Sequence, residues 1–161
     1  MKKNNHVKDN ERLVAARSWL SMGFEVLPIL PSLKRSRFKW EDWFTNLDDA
    51  KLITHWHEYP QDDLAILPGK TLVVLDADTK EALRALVHLE TKHGLESHHC
   101  VLTQKGQHHY FRIPEGVTVR ANSHSTEAHP DRIDVRTGRN QIIVAPSSNK
   151  KVLTGDFERI D

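Results

Sequence analysis

Two carboxylates, Asp76 and Asp78, stand one residue apart at the end of an apolar run. If this run is a strand, side-chain alternation places both on one face, roughly 6 to 7 Å apart at the backbone. Carboxylate oxygens at that spacing suit Mg²⁺ or Mn²⁺. Asp78 could instead cap the helical pattern that follows, with Glu81 as its capping-box partner, and an aspartate could also attack a phosphate. The pair is therefore a chelator, a cap or a nucleophile.

Two later segments alternate polar and apolar residues in the same way. In "HHYFRI", Phe111 and Ile113 form an apolar face, and in "RIDVR", Ile133 and Val135 point inward. The opposite face of the first segment holds His108, Tyr110 and Arg112. The opposite face of the second holds Arg132, Asp134 and Arg136. If all three strands share a sheet, these polar faces form one site with three carboxylates, a histidine and arginines, as phosphoryl or nucleotidyl transfer with a metal-bound triphosphate requires.

The elements that must position these residues follow from periodicity. Helices are predicted over residues 10–23, 46–60 and 79–94. Strands are predicted over residues 24–31, 64–67, 71–75, 100–104, 108–114, 132–136 and 140–146. Residues 68–70 and 105–107 are expected to be the turns of two tight hairpins. The prolines of the first strand place it at a sheet edge or mark its end. The mixture of helices and hairpins predicts an α+β fold with an antiparallel or mixed sheet.

Composition limits the class of protein. At 161 residues the chain is expected to be one domain, 1–161, with a flexible start over residues 1–9 and a mobile polar loop over 118–131. No apolar run approaches the roughly 18 residues of a membrane span, and no secretory signal is visible. A single cysteine, Cys100, suits a reducing compartment. We expect a soluble cytoplasmic protein with no membrane partner.

Positive charge is concentrated in "LKRSRFKW", residues 33–40, and again in residues 131–139. The first cluster contains Lys34, Arg35, Arg37, Lys39 and Trp40. Clustered cations near an aromatic ring favour polyanions such as single-stranded nucleic acid, through phosphate contacts and base stacking. A solvated surface loop would have the same composition, and both interpretations stay open here.

Two other enzyme classes fit parts of the sequence. "VVLDADT" resembles the nucleophile motif of haloacid-dehalogenase-like phosphatases, but Lys80 stands where that family has threonine or valine, and the later strands look antiparallel. His55 and His57 resemble the histidine pair of rolling-circle nickases, but they fall on a predicted helix instead of a strand. Neither class explains the alternation of the later strands.

A longer resemblance joins the motifs. Nine spaced residues precede the strands: Gly23, Pro28, Lys34, Trp40, Thr45, Asp48, Trp56, Pro60 and Gly69. "LVVLDAD", "TQKGQHHYFR" and "IDVRTGRNQIIVAPSS" then follow in order. From about Ala15 to Ser148 the chain resembles the prim-pol domain, the N-terminal catalytic domain of bifunctional DNA primase/polymerases in the archaeo-eukaryotic primase superfamily. This resemblance implies an RRM-like catalytic sheet with flanking helices and an additional small α/β unit.

The resemblance also implies roles for individual residues. Asp76, Asp78 and Asp134 match three metal-binding acids, and His108 matches the histidine that contacts the phosphates of the incoming nucleotide. Lys105 and Arg136 are expected to help neutralise the triphosphate. Two departures are clear. The small-residue run before the histidine, often Ser-Gly-Gly, is here Gln104-Lys105-Gly106, and the serine that the broader superfamily has two places before the histidine is here Gly106.

The implied activity is DNA-directed primase/polymerase chemistry with two Mg²⁺ or Mn²⁺ ions. Its partners would be nucleoside triphosphates, a single-stranded DNA template held by the 33–40 cluster, and a helicase or accessory domain in trans. Replication of a plasmid, phage or other mobile element is the expected setting. The alternative is a module of the same fold that binds single-stranded DNA without catalysis.

Overall fold

The computed structural model of the chain describes residues 10–123 and 129–160. The predicted flexible start, 1–9, and the centre of the predicted mobile loop, 124–128, lie outside the described residues. The described helices are α1 (Glu11–Ser21), α2 (Trp40–Phe44), α3 (Asp49–Glu58) and α4 (Lys80–His93), with a 3₁₀ turn at Phe157–Arg159. The strands are β1 (Glu25–Ile29), β2 (Asp63–Leu67), β3 (Gly69–Ala77), β4 (His99–Leu102), β5 (Gln107–Arg112), β6 (Asp134–Gly138), β7 (Ile142–Ile143) and β8 (Lys151–Gly155).

The strands form two antiparallel sheets, which confirms the predicted α+β class. The smaller has the order β1-β2-β7 and the larger the order β6-β3-β5-β4-β8. Because β3 and β4 are both antiparallel to β5, they run parallel to each other. With α4 they make a split βαβ unit. The strands predicted to carry the polar site, β3, β5 and β6, are neighbours in this sheet.

Three of the described helices, α1, α3 and α4, lie within the predicted ranges, whereas α2 was not predicted. Asp48 caps α3, and its carboxylate accepts a hydrogen bond from the Lys51 N–H at 2.8 Å. The α4 helix ends at Gly94, which has a left-handed φ of 63°. None of the described helices is long and apolar enough to cross a membrane.

Both faces of the five-stranded sheet are covered, so the predicted split into one buried and one polar face is wrong. One face packs on α4 through Ala77, Ala82 and Leu86. The other joins the main core, in which Tyr110 is fully buried beside Trp19, while Phe111 is only half-buried. The face that carries Asp76, His108 and Asp134 is therefore continuous with the core.

The predicted hairpin around residues 68–70 does not form. β2 pairs with β1 and β7, whereas β3 pairs with β5 and β6 in the other sheet. Both edges of each strand are thus taken by partners distant in sequence. Gly69, with a φ of 62°, lets the chain leave one sheet and enter the other. The second predicted hairpin, β4–β5, is observed.

Candidate active site

A cleft opens between the two sheets at the C-terminal end of β3. Six of the predicted site residues line it: Lys34, Asp76, Asp78, Lys105, His108 and Arg136. The wall formed by the smaller sheet and its loops also contributes Ser32, Asp63, Gln141, Ile142, Ser148 and Lys150. The cleft therefore brings together residues from seven separate segments of the chain.

Asp76 is at the centre of the polar cluster. In the sheet it lies directly opposite His108 of β5 and opposite Asp134 of β6. Directly opposite residues in antiparallel strands point to the same face. All three side chains are buried, with 5%, 7% and 6% of their residue surface exposed. The predicted alignment of one histidine and two acids is thus present in the backbone register.

Arg136 connects the two acids. Its Nε donates to Asp76 Oδ2 at 2.9 Å, and a second guanidinium nitrogen lies 3.5 Å from Asp134 Oδ2. Asp134 also accepts a hydrogen bond from the Ser123 hydroxyl at 3.2 Å. On the other side, His108 Nε2 lies 3.5 Å from Asp76 Oδ1, a buried oxygen that accepts no hydrogen bond from the described residues. One guanidinium therefore supplies positive charge to two carboxylates.

Burial raises the pKa of Asp76, but the His108 ring and the Arg136 guanidinium outweigh it and lower the pKa from 3.8 to about 2. Ionised Asp76 therefore stabilises the fold above about pH 4, and that stabilisation is lost as the pH falls towards 2. We expect the urea-unfolding free energy, measured in chelator, to lose roughly 2 kcal/mol from this group over that window. The Asp76→Asn variant should not show this loss of unfolding free energy. If its unfolding free energy depended on pH as strongly as that of wild type, the loss would not come from Asp76.

Asp78 does not cap α4. The N-cap is Thr79, whose hydroxyl accepts a hydrogen bond from the Ala82 N–H at 3.0 Å. The capping interpretation of Asp78 is therefore wrong by one residue. Its half-buried side chain instead lines the cleft beside Asp76.

The β4–β5 turn presses against the end of β3. Thr103 Oγ1 accepts a hydrogen bond from the Gly106 N–H at 3.0 Å, and Gly106 O accepts one from Thr103 N at 2.9 Å. A Cβ at residue 106 would overlap the carbonyl oxygen of Ala77 and lie 3.2 Å from Asp78 Cα. Contact with the β3 backbone thus explains why glycine replaces the expected serine. The same turn brings Lys105 to the cleft.

The wall opposite the acids contains residues that sequence analysis missed. Asp63, 1% exposed, accepts hydrogen bonds from Ser32 N at 2.9 Å and from the Ser148 N–H and hydroxyl at 2.7 and 2.9 Å. It therefore holds two cleft loops in place. Asp63 follows another acid immediately before an apolar run, and Ser148 ends the "VAPSS" motif. These sequence features could have pointed to Asp63 and Ser148, whereas no sequence feature points to Lys150.

The basic cluster of residues 33–40 divides between two environments. Lys34 lines the cleft, and Arg35 and Lys39 are exposed. Arg37 instead makes two contacts, of 2.5 and 2.6 Å, with the buried carboxylate of Asp62. Its guanidinium also lies 4.1 Å from the centre of the Tyr59 ring. Arg37 is therefore held by the Asp62 carboxylate and differs from the exposed cations of the cluster.

The aromatic residues of this cluster are not equally accessible. Trp40 is half-buried against the core and meets Phe44 edge to face. Phe38, which was given no role, is 39% exposed, and its ring stacks on Trp43 at a centroid distance of 5.3 Å. Phe38 is therefore the more available ring of the two for stacking.

The histidine pair on α3 does not converge. His55 is buried and lies 3.0 Å from an Asp62 oxygen, and burial lowers its pKa. His57 is exposed. The nickase interpretation, which needs both rings on one metal, has no support from this geometry.

The polar cluster can be tested for its fit to a metal. Within residues 10–123 and 129–160, no group of three or more His, Cys, Asp or Glu side chains stands close enough to hold a metal ion. The chemistry of the donor set nevertheless suits a hard cation, because two buried carboxylates already share one positive group and Asp76 Oδ1 lacks a hydrogen bond. Loading would require Arg136 to move away from the acids.

Comparison with known proteins decides the family. A family model described as "Bifunctional DNA primase/polymerase, N-terminal" (Prim-Pol) matches residues 16–156. The chain belongs to the Prim-Pol family. No curated protein sequence matches the chain significantly.

Membership in the Prim-Pol family confirms the resemblance found in the sequence and indicates a DNA primase/polymerase function, with DNA and nucleotides as substrates. The family is generally metal-dependent. The antiparallel pairing of the described strands also separates this Prim-Pol chain from the parallel sheet expected of a dehalogenase-like phosphatase.

Proposed function

We propose that the cleft joins nucleotides by metal-dependent nucleotidyl transfer on a single-stranded DNA template. The observation that carries this proposal is the position of Asp76, which lies opposite both Asp134 and His108 in a cleft lined by lysines. Acids and cations that line the same cleft match a reaction between a metal-bound triphosphate and a hydroxyl group.

Asp76, Asp78 and Asp134 would hold Mg²⁺ or Mn²⁺, for which carboxylate oxygens are suitable ligands. Such ions, when bound, help to activate the attacking hydroxyl and stabilise the leaving pyrophosphate. Arg136 bridges Asp76 and Asp134 in the described structure. When a cation replaces it there, its guanidinium is free to contact the triphosphate.

His108 and Lys105 bind the triphosphate in this proposal. The His108 ring is buried next to Asp76, and the rigid β4–β5 turn fixes Lys105 at the rim of the cleft. Donors that are already in position act on charge as it develops in the transition state, without reorganising. Both residues therefore bind and orient the nucleotide.

The template follows the outer part of the 33–40 cluster. Arg35 and Lys39 would contact phosphates, and the partly exposed ring of Trp40 would contribute to base stacking. We assign Arg37 a supporting role, because its contact with Asp62 anchors this loop. Phe38, stacked on Trp43, adds a second ring.

The wider setting is proposed on the family relation. Residues 1–161 would be one catalytic domain, with the five-stranded sheet and α4 as its RRM-like part and the smaller sheet with α1 to α3 as the additional unit. The strand order β6-β3-β5-β4 around a split βαβ unit supports that division. A cytoplasmic protein of a mobile element, working with a helicase in trans, fits the same relation.

A binding module without catalysis is the second candidate. Arg136 already neutralises both acids, and the described residues contain no ready three-ligand metal group. A chain that keeps this ion pair would bind template and nucleotide without joining them.

The deciding experiment measures incorporation of labelled nucleotides on a primed and an unprimed single-stranded template, with Mg²⁺, Mn²⁺ or chelator. Template binding is measured in parallel by fluorescence anisotropy. We expect template-dependent products that disappear in chelator. Tight template binding with no product under any metal would overturn the catalytic proposal in favour of the binding module.

A further inference from the structure

Lys150 lies in the loop between β7 (Ile142–Ile143) and β8 (Lys151–Gly155). It is half-buried and lines the cleft together with Asp76 and Asp78. Its ammonium forms no hydrogen bond or ion pair with any residue that the structure describes. A positive group held in the cleft without a direct partner needs a physical explanation.

The backbone around Lys150 is fixed. Its N–H donates to Ser147 O at 3.0 Å within an isolated β-bridge, and the intervening Asn149 has a φ of 58°. Ser148 donates through its N–H and its hydroxyl to the buried carboxylate of Asp63. A tight turn bound twice to a buried acid thus presents Lys150 to the cleft at a defined position.

The electrostatic surroundings are mixed. Burial lowers the pKa of Lys150 and nearby Lys34 lowers it further, whereas Asp76, Asp78 and Asp63 act in the opposite direction. Partial desolvation of an ammonium that lacks a hydrogen-bonding anion costs free energy. That cost would be offset when an anion enters the cleft and accepts its hydrogen bonds.

Two more lysines reach the same cleft from separate loops. Lys34 comes from the loop between β1 and α2, and Lys105 from the β4–β5 turn. We propose that Lys150 binds the polyphosphate of the incoming nucleotide, with Lys34 and Lys105 completing a three-lysine phosphate site. This inference rests on the proposed function. It also assigns Lys34 to nucleotide binding instead of template binding.

The test uses Lys150→Met, which keeps most of the unbranched side chain and removes its charge, and Lys150→Arg, which keeps the charge. The matched control is Lys151→Met, because Lys151 is the next residue and is exposed on the edge strand β8. Inorganic tripolyphosphate is titrated calorimetrically without metal, and KM for a deoxynucleoside triphosphate is measured on a fixed template.

Loss of one hydrogen-bonded charge is expected to weaken tripolyphosphate binding and raise KM by about tenfold or more. Template affinity should stay unchanged, Lys150→Arg should recover part of the effect, and Lys151→Met should behave like wild type. Equal values for Lys150→Met and Lys151→Met would overturn the inference, as would a defect confined to template binding. If the wild-type chain makes no product, the proposed function fails, and the tripolyphosphate titration still decides the role of Lys150.

Discussion

Replacing Asp76 by asparagine is expected to lower nucleotide incorporation by roughly a thousandfold, the scale seen when one preorganised electrostatic contact is removed from an active site. The substitution keeps the size of the side chain and removes the charge that Arg136 now contacts at 2.9 Å. Asp76 is also the residue that lies opposite both Asp134 and His108. No other acid in the described cleft occupies a comparable position, so Asp78 should not replace it.

The measurement is initial-rate primer extension with Mn²⁺ at saturating nucleotide. Asp131→Asn is the control, because Asp131 is an exposed acid in the turn before β6. Urea unfolding of the variant shows whether the fold is kept, since Arg136 loses a partner in it. A folded Asp76→Asn protein with more than a tenth of wild-type activity would place catalysis elsewhere.

Substituting Gly106 by alanine is the second large effect that we expect. The new Cβ would overlap the carbonyl oxygen of Ala77, a backbone atom that cannot rotate away. Relief of such a clash costs typically 1 to 3 kcal/mol and displaces the local backbone. A displacement of about 1 Å in an active site can cost about a hundredfold in rate. We therefore expect both lower stability and about a hundredfold lower incorporation.

Glu115→Ala is the control for Gly106→Ala, because Glu115 is exposed in the turn after β5 and is not among the residues that line the cleft. Gly106→Ser is the most informative further variant, since the resemblance leads one to expect serine here. If Gly106→Ser were as stable and as active as wild type, the turn would not be fixed by its contact with β3. Stability is read from urea unfolding and activity from primer extension.

The arrangement of β3, β5 and β6 could be predicted because it depends on local alternation. The phase that places Asp76, His108 and Asp134 on one face is set by a period of two residues within each strand. The sequence resemblance then joined the three strands into one site. The match of the family model over residues 16–156 confirms the resemblance.

Features that depend on which strands pair with each other could not be predicted from the sequence. Residues 64–75 look like a local hairpin. In the structure, however, β2 pairs with β1 and β7, and β3 pairs with β5 and β6. Alternation with the apolar Phe111 and Ile113 predicts Tyr110 on a polar face, whereas the main core covers the face that carries Tyr110 and α4 covers the other face. The short elements α2 and β8 were missed for a related reason, because neither has a clear periodicity of its own.

Cleft residues brought together by tertiary contacts were the hardest to find. Asp63 begins β2 and Lys150 lies in the loop after β7, and the pairing of β2 with β7 brings these distant parts of the chain together. The charged cluster at residues 33–40 looked uniform in sequence, but the buried carboxylate of Asp62 removes Arg37 from it. Such differences between the residues of one cluster become visible only when the tertiary contacts are known.

Direct binding of Mn²⁺ tests the central claim, that Asp76 and Asp134 hold the catalytic metal. Electron paramagnetic resonance counts free and bound Mn²⁺ in the presence of a nucleoside triphosphate, for wild type, Asp76→Asn, Asp134→Asn and the Asp131→Asn control. We predict that wild type and Asp131→Asn bind Mn²⁺ beyond what the nucleotide alone binds, and that each of the other two variants loses this binding. Equal Mn²⁺ binding by all four proteins would contradict the assignment of the metal site to Asp76 and Asp134.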